Sequence, residues 1–270
     1  MLLPVKACET PFHCSVFHIE RANAYDCSAI IEEYEVKQLE NAFEQLQITI
    51  TDKIVNKFQK YMELVLAWNE KVNLTAVTER DEFIKKHFID SILCADFDEL
   101  KNANTIIDVG TGAGFPGVPL ALIFPEKQFL LIDSLNKRMK ILEEMLSEIE
   151  VSNVSVLHTR AEDLAHKKEY RETFDICVSR AVANLAVLSE YCLPFINLGG
   201  FFISYKGPSA LEELAQADKA IKLLGGEVKD IVKKELEDFD LDHNMVIIKK
   251  ERHTPNKYPR KAGIPAKEPL

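Results

Sequence analysis

From about residue 101 onward, short apolar runs alternate with helical stretches five times over. TIIDV is followed by GVPLALIF, QFLLID by LNKRMKILEEMLSEI, VSVLH by AEDLAHKKE, FDICVS by ANLAVLSEYCLPF, and FFISYK by SALEELAQADKAIKLLG. Apolar runs of this length, separated by helical patterns, read as repeated βα units, and such units build a parallel sheet with helices on both faces. The end of the chain breaks the rule. EVKDIVKKEL and HNMVIIKKE have only EDFDLD between them. That is too short for a crossover helix, so these two strands should pair antiparallel.

Five parallel βα units closed by an antiparallel hairpin is the order of the seven-stranded, Rossmann-like sheet of S-adenosylmethionine-dependent methyltransferases. The expected fold class is therefore α/β, with a methyltransferase domain over 101–270. Before it the pattern is helical. Apolar residues recur at 36, 39, 43 and 46, at 54, 58, 61, 62, 65 and 66, and at 83, 84, 88, 92 and 93, which predicts a small helical domain over 31–100. Thr51 or Asp52 is a candidate N-cap of its second helix. Residues 1–30 show no clear periodicity and are expected to be a poorly ordered extension.

No stretch reaches the ~18 apolar residues of a membrane span, and the first residues lack a charged-then-apolar leader pattern. A cytoplasmic location is expected, with a monomer as the default. The six cysteines (8, 14, 27, 94, 177 and 192) show no metal-like spacing and are expected to be buried free thiols. No metal site is expected. The net charge of −10 argues against a general polyanion binder. Residues 249–270, however, hold seven Lys/Arg against two Glu, a local +5 on a body of −15. Such a tail suits either contact with an anion such as RNA phosphate or a solvated, flexible end.

Residues 108–117 read DVGTGAGFPG, at the first βα turn, where sheets of this kind bind ligands. Gly110, Gly112 and Gly114 let the backbone turn sharply and approach a ligand closely. The spacing also fits the dinucleotide fingerprint, and a lone match is weak. Asp133, closing the second strand, can accept hydrogen bonds from ribose hydroxyls under either reading. Pro116 lacks an N–H that a pyrophosphate would want, and Asp108 sets a carboxylate at the mouth of the loop, favourable beside a cationic ligand. S-adenosylmethionine is such a ligand; a nicotinamide or flavin cofactor is the alternative. After the third strand, Glu162 or Asp163 could meet an adenine amino group, or could be carboxylates favoured by a helix start.

The turn after the fourth strand, SRAVANL, carries neither the [DN]-P-P-[FYW] pattern of exocyclic-amine methylation nor a Pro-Cys nucleophile. An acceptor that already owns a lone pair, such as guanine N7, fits best, because it needs alignment and no general base. Arg180 could pair with guanine's acceptor edge or a phosphate, or be a surface arginine in a salt bridge. Lys206 ends the fifth strand at the same sheet edge, or is a solvated strand-end lysine. His87 and Asp90, at i and i+3, read as a buried hydrogen-bonded pair.

WNEKVNLTAV, KHFIDS, DVGTGAGFPG, LIDSLNKRMKIL, TRAEDL, SRAVANL, YKG and YPRKAGIPAKEPL together resemble the bacterial ribosomal RNA small subunit methyltransferase G family over about residues 35–270. The resemblance implies S-adenosylmethionine as cofactor, 16S rRNA or the small ribosomal subunit as partner, and 7-methylguanosine at guanine 527 as product. It implies cofactor contacts at Gly110, Phe115, Asp133, Ala161, Glu162 and Arg180, to which the reading of the loop itself adds Asp108, Gly112 and Gly114. Arg180, Lys206 and Arg160 would be the catalytic cations, and Lys257, Arg260 and Lys261 would bind RNA. A nicotinamide-dependent oxidoreductase and a non-catalytic, cofactor-sensing ribosome-binding protein are the rival readings.

Overall fold

The structure, a computed structural model, describes residues 24–241 and 243–270, with side chains from residue 33 onward. Most of the expected extension, with Cys8 and Cys14, lies outside the described residues, as does the side chain of Cys27. Residues 24–30 open a helix, α1 (Ala24–Gln45). By contacts the chain divides between Tyr34 and Glu35, and Glu35–Leu270 form one compact unit. The boundary expected near residue 100 falls inside that unit.

Helices α2 (Asp52–Asn69) and α3 (80–92) follow α1, then a short α4 (Asp98–Lys101). Helix α2 forms because Val55, Phe58, Tyr61, Met62 and Val65 recur at helical spacing and are all buried. Each such side chain stabilises by about 1.5–3 kcal/mol when fully buried. Thr51 takes the N-cap position with extended backbone, but its side chain makes no capping hydrogen bond. Helix α3 is not regular. Arg80–Phe83 and Asp90–Ile92 are α-helical, and Ile84–Ile89 between them are π-helical.

The sheet follows the predicted grammar closely. Its strands are β1 (Thr105–Val109), β2 (Gln128–Asp133), β3 (Val154–His158), β4 (Phe174–Arg180), β5 (Ile196–Lys206), β6 (Gly226–Lys233) and β7 (Asn244–Lys250). The crossovers carry α5 (Gly117–Ile123), α6 (Asn136–Glu148), α7 (Ala161–Leu164), α8 (Leu185–Cys192) and α9 (Ala210–Leu223). Strand order is β3-β2-β1-β4-β5-β7-β6, parallel from β3 to β5. Strand β7 slots between β5 and β6, antiparallel to both, as the short turn requires. The order reverses between β1 and β4, so the carboxyl ends of these strands frame the expected ligand crevice.

One buried cluster joins the helices before β1 to α5 and α6 on one face of the sheet; a second joins α8 and α9 to the other face. The tail is not a loose end. It folds onto the second cluster through Tyr258 and closes with a short helix, α10 (Ile264–Lys267). Cys94, Cys177 and Cys192 are free and buried. Among the described residues, no helix is long and apolar enough to cross a membrane.

Candidate active site

The glycine loop leaves β1 at Gly110 and is bonded mainly to itself and to β2. The amides of Gly110 and Thr111 donate to the Ile132 carbonyl at 2.8 and 3.1 Å, and those of Gly114 and Phe115 to the Thr111 carbonyl. The Gly112 amide donates to Asp133 Oδ2 at 3.1 Å. Gly117 donates to Asp108 Oδ2 at 2.9 Å and Val118 to the Gly114 carbonyl at 2.7 Å. Pro116 has no N–H. Seven amides between Gly110 and Val118 are thus already satisfied, and a pyrophosphate would find few donors here.

The four glycines serve different purposes. A Cβ on Gly110 would strike Val182, one on Gly114 would strike Tyr61 and Val118, and one on Gly117 would strike Asp108 and Leu131. These three let the loop pack against protein. At Gly112, with φ +61, a Cβ would meet nothing within 4 Å. Gly112 is the position where the bare backbone faces open space.

That space is a cleft of about 390 Å³ at the carboxyl ends of β1, β2 and β3. Gly110, Gly112, Asp133, Ala161 and Glu162, all expected at the cofactor, line it, together with Arg160, expected as a catalytic cation, and with Leu135, Arg138, Tyr191 and Ala266. The sequence did not single out the last four. Asp133 also accepts from the Leu135 amide at 2.9 Å, which fixes its carboxylate at the β2 tip. Glu162 is buried, and its Oε1 accepts from the Gly263 amide at 3.0 Å. Asp163 is exposed and does not line the cleft.

Asp108 corrects the sequence reading. It does not stand at the mouth of the loop but is fully buried behind it. Its Oδ2 accepts from Thr111 Oγ1 at 2.6 Å as well as from Gly117. Burial pushes its pKa up to about 6, against the lowering effect of those donors. The reason is topological: residue 108 is still inside the central strand, with β2 and β4 on either side. Gly114 and Phe115 likewise lie outside the cleft lining. Phe115 is buried and stacks on His87 with ring centroids 4.5 Å apart.

A second pocket of about 350 Å³ lies beside the first, lined by Arg180, Tyr205, Lys206, Gly207, Glu213 and His243. The two share Ala181, Val182 and Ala183 as a common wall. In that wall Ala181 has φ +57, the left-handed region that an alanine adopts only under constraint. Lys206 explains part of that constraint. It is buried, donates to the Ala183 carbonyl at 2.6 Å, and pairs with Glu213 at 2.8 Å. Glu213 in turn accepts from the Leu185 amide at 2.9 Å. Lys206 is therefore not a solvated strand-end lysine; it fastens the shared wall.

Arg180 is not a surface arginine either. Its guanidinium sits 5.6 Å over the Phe115 ring, donates to the Lys86 carbonyl at 2.9 Å, and pairs with the buried carboxylate of Asp90. Asp90 Oδ1 lies 2.7 Å from His243 Nδ1. Burial alone would raise the Asp90 carboxyl; Arg180 and His243 outweigh it and hold it low. His87 and Asp90 do not bond each other as expected. The π-helical turns between them intervene, and they converge instead on Arg180. His87 Nδ1 lies 3.4 Å from Arg180 Nη2, and Nε2 lies 2.6 Å from Thr75 Oγ1. Burial and the Arg180 charge push the His87 pKa down to about 3, so the ring is neutral. With Nδ1 accepting from Arg180, the proton sits on Nε2 and is donated to Thr75.

The expected RNA-side cations separate. Arg160, Lys257 and Lys261 are exposed, with Lys257 lying 5.1 Å over the Tyr258 ring. Arg260 is half-buried and already paired within the fold. It forks onto Glu190, a fully buried carboxylate, with Nε at 2.9 Å and Nη2 at 2.6 Å.

Comparison with known proteins places the chain by its sequence. The family model described as "GidB: rRNA small subunit methyltransferase G" matches residues 54–242. The ribosomal RNA small subunit methyltransferase G of Clostridium tetani is 53% identical over 232 residues, covering 86% of this chain and 97% of that protein. Its counterpart from Alkaliphilus oremlandii is 50% identical over the same shares. Among solved structures, a putative O-methyltransferase from Klebsiella pneumoniae superposes with a TM-score of 0.49 at 12% identity, over 83% of this chain and 97% of that one. On the sequence matches, over most of its length and most of theirs, this chain belongs to the rRNA small subunit methyltransferase G family.

Proposed function

We propose that the chain transfers a methyl group from S-adenosylmethionine to guanine N7 in 16S rRNA, at guanine 527. The observation that carries this reading is the pair of pockets with a common wall. One has the chemistry of a donor site, the other that of an acceptor site. The donor cleft offers an open glycine, Gly112, and two carboxylates, Asp133 and Glu162. Its loop amides are consumed internally. This suits a cationic, phosphate-free nucleoside and disfavours a dinucleotide. Asp133 would hold the ribose, and Glu162 the base amino group. When bound, the donor supplies an electrophilic methyl group on a positively charged sulfur.

In the acceptor pocket the titratable side chains are tied up. Lys206 is bound to Glu213, His243 faces Asp90, and burial raises the Tyr205 hydroxyl well above its ordinary pKa. Guanine N7 needs none of them as a base, because its lone pair is already available. Arg180 keeps an Nε–H and an Nη2–H without partners among the described residues. These can hold the guanine O6 edge while leaving N7 open, which places the burden of catalysis on alignment. In A-form RNA the N7 edge lies in a groove too deep and narrow to reach, so the base must be splayed from a loop.

The reading is tested by mass spectrometry of 16S rRNA from cells lacking this protein, with and without the restored chain. Loss and return of one 7-methylguanosine, at guanine 527, is the expected result. An unchanged guanine 527 would refute the proposed target. In parallel, calorimetry on the purified chain should show binding of S-adenosylhomocysteine and none of NADH.

A further inference from the structure

The last crossing of the chain passes over the donor cleft rather than away from it. Thr254 to Lys267 run as a strap past α7 and α8, and two of its anchors, at Glu162 and Glu190, are made to elements that also line the cleft. The Gly263 amide donates to Glu162, which heads α7 and lines the cleft at the tip of β3. Arg260 forks onto Glu190, the residue before Tyr191, which also lines the cleft. The Arg260 amide donates to the same carboxylate at 2.7 Å. His166, just past α7, lies 2.8 Å from the Pro259 carbonyl, and Arg171 donates to the Tyr258 and Thr254 carbonyls at 3.0 and 2.8 Å. At the end of the strap Ala266 forms part of the cleft wall itself, while remaining exposed.

Glu162 joins the two roles. Its Oε1 is taken by Gly263, and its Oε2 has no hydrogen bond among the described residues. The strap therefore fixes one carboxylate oxygen and leaves the other to the cleft. We propose that the strap is the base-end wall of the donor site, with Arg260 and Gly263 as positioning residues for Glu162 and Tyr191, and Ala266 as the wall contact. Its basic composition is thus in part a docking device: Arg260 neutralises a buried carboxylate, while its exposed neighbours Lys257 and Lys261 remain on the surface. This rests on the donor reading of the cleft given above.

The test is calorimetry on the full-length chain with S-adenosylhomocysteine and with 5′-methylthioadenosine, which keeps the base and ribose but lacks the amino-acid end. Ala266→Phe, at an exposed wall position, should raise both dissociation constants by about tenfold or more with the melting temperature unchanged. The donor KM should rise by more than kcat falls, and the KM for RNA should stay within about twofold. Replacing the whole pair, Arg260→Met with Glu190→Met, avoids leaving a buried charge unpaired. It should also weaken both ligands, and Arg260→Lys alone should weaken them less. If both Ala266→Phe and the paired variant bind as the wild type does, while Asp133→Ala loses binding, the strap is no wall and the donor reading stands. If the wild type binds neither ligand, the donor reading falls and the strap inference with it.

Discussion

The carboxylate of Asp108 holds the first amide of helix α5, that of Gly117, at 2.9 Å, so the end of β1 and the start of its helix are bonded directly across the glycine loop. The other carboxylate oxygen, Oδ1, is buried without a partner. Burial of the carboxyl outweighs its two donors and raises its pKa from 3.8 to about 6. A carboxyl with a higher pKa in the fold keeps its proton longer when folded. Its ionisation therefore removes stability as the pH climbs from 3.8 through 6. Relative to Asp108→Asn, the wild type should lose on the order of 3 kcal/mol in all, most of it between pH 4 and pH 6 and the remainder within about one pH unit on either side. Denaturant unfolding of both proteins across the range measures it. A wild type that gains on the variant over those pH values would mean that donors to the carboxylate outweigh burial.

Arg180→Ala should cost stability as well as activity. It leaves Asp90, whose side chain is 1% exposed, with His243 as its remaining ion-pair partner among the described residues. Breaking a buried pair from one side costs about 3–5 kcal/mol. Adding Asp90→Asn should recover much of the stability and none of the methyl transfer. Thermal unfolding and turnover on small-subunit RNA separate the two effects. Unaltered stability in the single variant would show that the pair is solvated.

Gly112→Ala and Gly110→Ala should fail for different reasons. At Gly112 the methyl group meets nothing, so the cost is the left-handed backbone alone, about 1–2 kcal/mol. Donor affinity should suffer far more than stability, because the methyl group enters the cleft. At Gly110 the same backbone term is joined by a collision with Val182, so Gly110→Ala should be the less stable of the two. Val182→Ala in the Gly110→Ala background should restore part of that loss. Equal melting temperatures for the two glycine variants would contradict this.

Lys261 and Arg260 are neighbours with opposite expected behaviour. Lys261→Ala should weaken RNA binding at low salt and little at high salt, flattening the salt dependence by roughly one phosphate contact. Arg260→Ala should lower the melting temperature at every salt concentration, because it strands Glu190. Filter binding and thermal unfolding over a salt series measure both. A loss of RNA affinity from Lys261→Ala that does not vary with salt would assign Lys261 a packing role.

Strand identity and sheet order were legible because apolar runs bounded by turn residues leave little choice of element, and TIIDV, QFLLID and VSVLH end where β1, β2 and β3 end. The position of the glycine loop was legible for the same reason. What spacing could not show is which glycine faces a ligand. Gly110, Gly114 and Gly117 are bare because Val182, Tyr61 and Leu131 come close, and those residues are distant in sequence. The pairing of Arg260 was hidden for a related reason. Its partner Glu190 is 70 residues away, and the Glu162 contact of Gly263 spans 101, so local composition showed only positive charge. The π-helical turns of α3 carry no local signature in IKKHFI.

Phe115 gives the glycine loop a dependence on distant residues. Its ring is packed by Tyr61, Phe83, His87 and Phe88, all from α2 and α3, and the Tyr61 hydroxyl bonds the neighbouring Ala113 carbonyl. Damage to those two helices is therefore transmitted to the methylation chemistry without touching either pocket. Inactivating substitutions should be found scattered through residues 58–88 as readily as around the cleft, and a survey of defective alleles that looked only near Gly112 would overlook them.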